Sequence, residues 1–149
     1  EEIAAAKRAL AEKRWEDYEK GQPEYLPSFP EEPMESVPQG VPEPDAEWLR
    51  FYAVKRGHHP EARGGFTTTS VLSMLGSKLL AFVDEISPRP VLFLVGDRAH
   101  SKFFSENVYA AAREPKELYV VKDAEHIDLY DRTDRIPFDK LERFFQENL

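Results

Sequence analysis

Residues 88–131 constrain the fold most. The apolar run Pro90-Val91-Leu92-Phe93-Leu94-Val95 stops at Gly96-Asp97, and a helical segment follows. A second apolar run, Leu118-Tyr119-Val120-Val121, stops at Lys122-Asp123-Ala124-Glu125-His126. Short apolar runs bounded by turn residues, one on each side of a helix, predict a strand–helix–strand unit with parallel strands. Parallel α/β sheets hold ligands at the carboxyl ends of their strands. Asp97, just past the first strand, and His126, just past the second, are therefore expected to lie side by side.

Only two strands are predicted in the 149 residues. A two-stranded parallel piece exposes both edges and leaves its helices without a sheet to cover. Further strands are expected from outside this chain. The start, Glu1-Glu2-Ile3-Ala4, is already in a helical pattern with no capping residue, which fits a piece of a longer polypeptide.

The totals exclude several classes of function. Net charge is −8, and lysine and arginine form no basic block, so nucleic acid is not an expected partner. Apolar runs of about six residues fall far short of the roughly 18 needed to span a membrane. There is no cysteine, which rules out disulfides, cysteine nucleophiles and zinc–thiolate sites and fits either redox compartment. A cytoplasmic setting is expected.

Before the organising unit, residues 1–20 predict an amphipathic helix carrying Ile3, Leu10, Trp15 and Tyr18, with Gly21 as its stop. Residues 22–44 carry seven of the twelve prolines, Pro23, Pro27, Pro30, Pro33, Pro38, Pro42 and Pro44. Each removes a donor and turns its predecessor away from helix, so an extended loop is expected. Its apolar points, Tyr25, Leu26, Phe29, Met34 and Val37, argue that it lies along a surface; the competing reading is a disordered linker.

Asp45 is expected to cap a second helix that runs to Gly57, with Glu47 in its first turn and Trp48, Phe51, Tyr52 and Val54 as an aromatic face. Ser70 opens a third helical stretch reaching Val83, interrupted at Gly76. Ser105-Glu106-Asn107 reads as a helix start, and Pro137 opens a last helix with Phe138, Leu141, Phe144, Phe145 and Leu149 on one side. His58-His59 is a weak metal signal, because adjacent histidines point different ways and metal sites need three or four ligands. No metal and no cofactor are expected.

A histidine shuttles protons near neutral pH when a carboxylate fixes its tautomer. An acid after one strand and a histidine after the next supply two members of a nucleophile–His–acid set, in the chain order of α/β-hydrolases. Pro88-Arg89-Pro90 through Gly96, Ser105-Glu106, Pro115-Lys116-Glu117-Leu118 and above all His126-Ile127-Asp128-Leu129-Tyr130-Asp131 resemble the C-terminal half of an α/β-hydrolase family, similar to dienelactone-hydrolase-like and polyketide-transferase-like proteins. The resemblance covers residues 45–149 best.

It implies an α/β fold in which residues 1–87 form a helical cap with the Pro-rich loop 22–44. Residues 88–149 would form the C-terminal part of the core, completed by strands outside this chain. It implies a serine-type hydrolase acting on an ester, thioester or lactone of a small-molecule acyl substrate, with His126 as base and Asp97 as acid. The usual acid position, a little further past the strand, holds Ala99, so an acid from the missing half stays open. Asp84 precedes the strand, and Asp128 and Asp131 fit better as acceptors for backbone amides. Trp48, Phe51 and Tyr52 would cover an apolar acyl group, and His100 would line the site.

No G-x-S-x-G occurs; Ser70, Ser73 and Ser77 lie in a helical stretch without the strand-to-turn setting of a nucleophile elbow. The nucleophile is expected on an N-terminal half of the same enzyme, so that this chain alone is inactive. A homo-oligomer is left open. An acyltransferase with the same triad differs only in water access. A non-catalytic binding or assembly module would need no serine half at all.

Overall fold

The computed structural model describes residues 1–43, 45–62 and 64–149; Pro44, the last proline of the predicted loop, lies outside them. The chain divides into two compact units, Glu1–Val37 with Tyr52–Lys78, and Pro38–Phe51 with Leu79–Leu149. Segment 38–51, grouped with the cap on sequence grounds, thus packs with the strands.

In the first unit, α1 spans Glu2–Lys20 and ends where Gly21 adopts a left-handed conformation, φ 71°, its amide donating to the Tyr18 carbonyl. The predicted apolar face is not buried: Trp15 and Tyr18 are 70% and 78% exposed. What holds the end of α1 is charge, with Lys13 reaching Glu24 at 2.6 Å and Asp17 at 3.6 Å. α3 is short, Ser70–Gly76, and packs on α1. Gly76 therefore ends this helix and does not kink a longer one.

Described residues of the proline-rich loop are tied to the rest of the first unit. They make isolated bridges, Tyr25 with Thr67, Ser28 with Gly64 and Met34 with Val54. The Leu26 amide donates to the Phe66 carbonyl at 2.9 Å, and that of Met34 to Ala53 at 2.8 Å. Prolines cannot build a continuous ladder, but the residues between them donate singly.

The second unit begins with α2, Asp45–Tyr52, whose last residue counts with the first unit. The helix ends well before the predicted Gly57. The first-turn amide of Glu47 is met at 3.1 Å by the Glu43 carboxylate, so Glu43 serves the turn that Asp45 was expected to cap. After a 3₁₀ turn at Val83–Ile86 come β1, Val91–Gly96, then α4, Lys102–Ala111, and β2, Lys116–Val121. α4 starts three residues earlier than predicted. The strands pair in parallel, from Val91 with Lys116 to Gly96 with Val121, and form the one sheet among the described residues.

The Lys116 ammonium donates to the carbonyls of Tyr109 and Ala112, both at 2.7 Å, closing the C-terminal end of α4. A short helix, α5, covers Asp128–Asp131, and α6 covers Phe138–Asn148. The continuous apolar strands predict burial on both faces. Here burial is greatest at the carboxyl ends, at Val95 and Val121, while Tyr119 and Val120 remain exposed. Ala99, Ala124 and Ile127 extend that core into the loops that carry the site.

Candidate active site

The loops after β1 and β2 are tied directly together. The Asp97 amide donates to the Val121 carbonyl at 2.9 Å, and the Arg98 amide to that of Ala124 at 3.0 Å. Gly96 permits this approach: a Cβ there would overlap the Ala124 carbonyl. The result is that His100 and Ser101, past β1, meet His126, past β2, with the two imidazole centroids 5.8 Å apart.

Both ring nitrogens of His126 face hydroxyls. Nδ1 lies 2.8 Å from Ser101 Oγ, and Nε2 lies 2.8 Å from Tyr130 Oη. Trp48 packs beside both histidines, 5.6 Å from His100 and 5.4 Å from His126 by ring centroid. Phe51 meets Tyr130 edge to face at 5.1 Å. The side of this cluster nearest the strand ends opens on a pocket of about 440 Å³, whose walls include Leu94, Gly96, Ser101, Phe104, His126 and Tyr130.

Behind the cluster sits a carboxylate that the sequence reading passed over as a site residue. Glu47 is only 3% exposed. One of its oxygens accepts the amides of His126 at 2.6 Å and Ile127 at 3.4 Å. The other makes a short contact with His100 Nδ1. A buried carboxylate must be compensated, and here two amides and an imidazole do it. The signal was present: Glu47 stands four residues before Phe51, on the apolar side of a helix, where a charged residue needs a reason.

Asp97 is exposed, and its side chain makes no hydrogen bond or ion pair among the described residues. The expected Asp97–His126 pair therefore does not form in this structure. The backbone explains it: the Asp97 amide is tied to the Val121 carbonyl at the strand end, and in the loop after β1 the hydrogen-bond partner of the imidazole is Ser101, four residues further on. Asp84 pairs with Arg113 at 3.0 Å, and Asp128 accepts the Glu125 amide at 3.0 Å. Tyr52 stacks on Phe29 in the first unit, 5.1 Å between centroids.

Burial, the largest cause, lowers the pKa of His126 below its ordinary value; Glu47 opposes this and His100 adds to it. A neutral imidazole held between two hydroxyls can accept a proton. His58 instead meets the Pro30 carbonyl of the proline-rich loop, and His59 accepts the Glu61 amide in its own turn. Among the described residues no three side chains gather as a metal site would need. Nor is any helix among them long and apolar enough to cross a membrane.

No protein-family model matches the chain. It is similar to the uncharacterized protein PA2218 of Pseudomonas aeruginosa, 45% identical over 143 residues, which are 94% of this chain and 37% of that one. The crystal structure of that protein superposes with a TM-score of 0.84 at 42% identity, over 98% of this chain and 45% of the other. The uncharacterized protein YcjY of Escherichia coli is 28% identical over 102 residues, 66% of this chain and 33% of that one. The chain thus spans about a third of the length of these curated relatives.

The α/β-hydrolase GrgF of Penicillium sp. sh18 superposes with a TM-score of 0.65 at 24% identity, over 97% of this chain and 50% of the other. The chain is an α/β structure that shares its fold with part of an α/β-hydrolase.

Proposed function

We propose that this chain is the base-bearing part of a serine-type α/β-hydrolase acting on an ester, thioester or lactone. The observation that carries the reading is His126: an imidazole beyond a parallel strand, beside an open pocket, with a hydroxyl on each nitrogen. The fold shared with an α/β-hydrolase supports the same class. The resemblance of residues 45–149 to dienelactone-hydrolase-like and polyketide-transferase-like proteins supplies the acyl chemistry.

His126 Nε2, released from Tyr130, takes the proton of a serine supplied by polypeptide outside these residues. The serine oxygen attacks the acyl carbonyl. The imidazolium then gives its proton to the leaving alkoxide or thiolate, and in the second half of the cycle it activates water. Trp48 and His100, beside His126, and Phe51, on Tyr130, are assigned to the acyl side by their place around the base; they back the pocket and are not among its walls. Tyr52, stacked on Phe29, is left out of that role. Asp97 has the expected chain position for the acid but no contact with the ring, while Glu47 holds the His126 amide and His100 without touching the His126 ring.

The test joins this chain to the N-terminal part of the P. aeruginosa relative and measures hydrolysis of p-nitrophenyl esters. The joined protein should turn over, and His126→Ala should cost about a thousandfold or more while leaving the far-UV spectrum unchanged. A variant that keeps more than about a tenth of the rate would remove His126 from the mechanism. His126-dependent turnover by the 149 residues alone would remove the outside serine.

A further inference from the structure

We infer that no single carboxylate orients His126 from within this chain, and that the acid's two duties are divided: Ser101 fixes the tautomer at Nδ1, and Glu47 supplies the negative charge through the backbone. The inference rests on His126 being the base. In a Ser–His–acid set one carboxylate does both jobs, accepting the Nδ1 proton and stabilising the imidazolium. Here the atom at Nδ1 is a hydroxyl, Ser101 Oγ at 2.8 Å. A hydroxyl both donates and accepts, and the partner on the other side decides which. For Nε2 to act as base, Tyr130 must donate to it; Nδ1 then carries the hydrogen and Ser101 accepts.

The charge comes from Glu47. Its carboxylate takes the amide of His126 at 2.6 Å, so it is one residue's own backbone away from the ring it stabilises. It also holds Ile127 and His100, which fixes both loops around one buried anion. The other charged or titratable groups around His126 are His100 beyond β1, Tyr130 and Asp128 on α5, and Glu125 in the preceding turn, the last paired with Arg50 at 3.3 Å. Burial, the largest cause, lowers the pKa of His126; Glu47 opposes it and His100 adds to it. Asp97, exposed and making no contact with the ring, has neither duty. Ser101 and Glu47 are positioning residues, since both act through His126.

The experiment compares Ser101→Ala, Glu47→Gln, Glu47→Asp, Asp97→Asn and His126→Ala in the joined protein described above. Ser101→Ala should lower kcat by about a hundredfold with KM unchanged, as expected for a base left free to rotate. Glu47→Gln keeps an acceptor for the amide but loses the charge, so the acid limb of the kcat/KM profile should move down by about one pH unit. Glu47→Asp should return the limb toward its original position. Asp97→Asn should stay near wild type. An active His126→Ala would sink the function reading itself. If His126→Ala is dead and Asp97→Asn falls a hundredfold, the division of duties is overturned. Near-wild-type behaviour of both Ser101→Ala and Glu47→Gln overturns it as well, and assigns the acid to another segment.

Nitrogen chemical shifts of His126 in the chain read the tautomer without any turnover. A dominant Nδ1–H form, lost in Ser101→Ala, is expected; a dominant Nε2–H form would overturn the proposal. So would covalent labelling of Ser101 by a fluorophosphonate, which would make that serine a nucleophile.

Discussion

His126 carries opposing influences on its charge, and their balance has a measurable consequence. With its folded pKa below the unfolded value, the unfolded chain binds more protons between the two pKa values. Stability therefore rises with pH through that window. Well above about pH 6.5 the imidazole is unprotonated in both states and the effect fades. Urea midpoints should fall as pH drops from neutral through the upper fives, and His126→Gln should flatten that slope; an imidazole titrating above 6.5 by NMR would contradict the sign. Gly96 is the other residue whose identity the site requires. Gly96→Ala would push a methyl into the Ala124 carbonyl, a backbone atom that cannot swing aside. A loss of about 2 kcal/mol is expected from such overpacking, read as a lower urea midpoint together with altered His126 resonances.

Elements were legible where one local signal decides them. Gly21 stops α1 because it takes φ 71° at no steric cost, and no heavy atom lies within 4 Å of where a Cβ would stand. Gly21→Ala should therefore cost about 1 kcal/mol through backbone strain alone, and Gly21→Asn less; equal thermal midpoints for all three would show that the turn is not needed to end the helix. The two strands were legible because both are short apolar runs closed by Gly96-Asp97 and Lys122-Asp123. Boundaries set by tertiary contacts were not. α2 stops at Tyr52, although Val54 continues its pattern, because the Ala53 carbonyl accepts the Met34 amide. α3 stops at Gly76 although apolar residues run on to Val83. The position of His126 beyond the second strand followed from the strand ends alone. Glu47 did not, because its role depends on α2 lying against loops some 50 to 80 residues away in sequence, and no local pattern encodes that.

At the scale of the whole chain, the second unit leaves several large apolar side chains in water. Leu79 and Phe82 are 86% and 69% exposed, and Phe103 and Phe104 are exposed too. The outer edges of β1 and β2 carry no further strand among the described residues. Unpaired edges of parallel strands are templates for another strand, and exposed apolar patches are places for a partner. In relatives that are more than twice as long, the remaining polypeptide can supply both. The physical expectation is that the 149 residues on their own bind an apolar dye and associate as concentration rises. Replacing Leu79 and Phe82 by lysine should reduce both effects, because it removes apolar area without touching the core. If the proposed missing part is the N-terminal part of the P. aeruginosa relative, joining it should reduce them further by covering the strand edges that the lysines leave open. Sedimentation velocity decides the matter. A monodisperse monomer at tens of micromolar, with no dye binding, would mean that this surface needs no partner, and the case for a serine supplied from outside would lose its structural support.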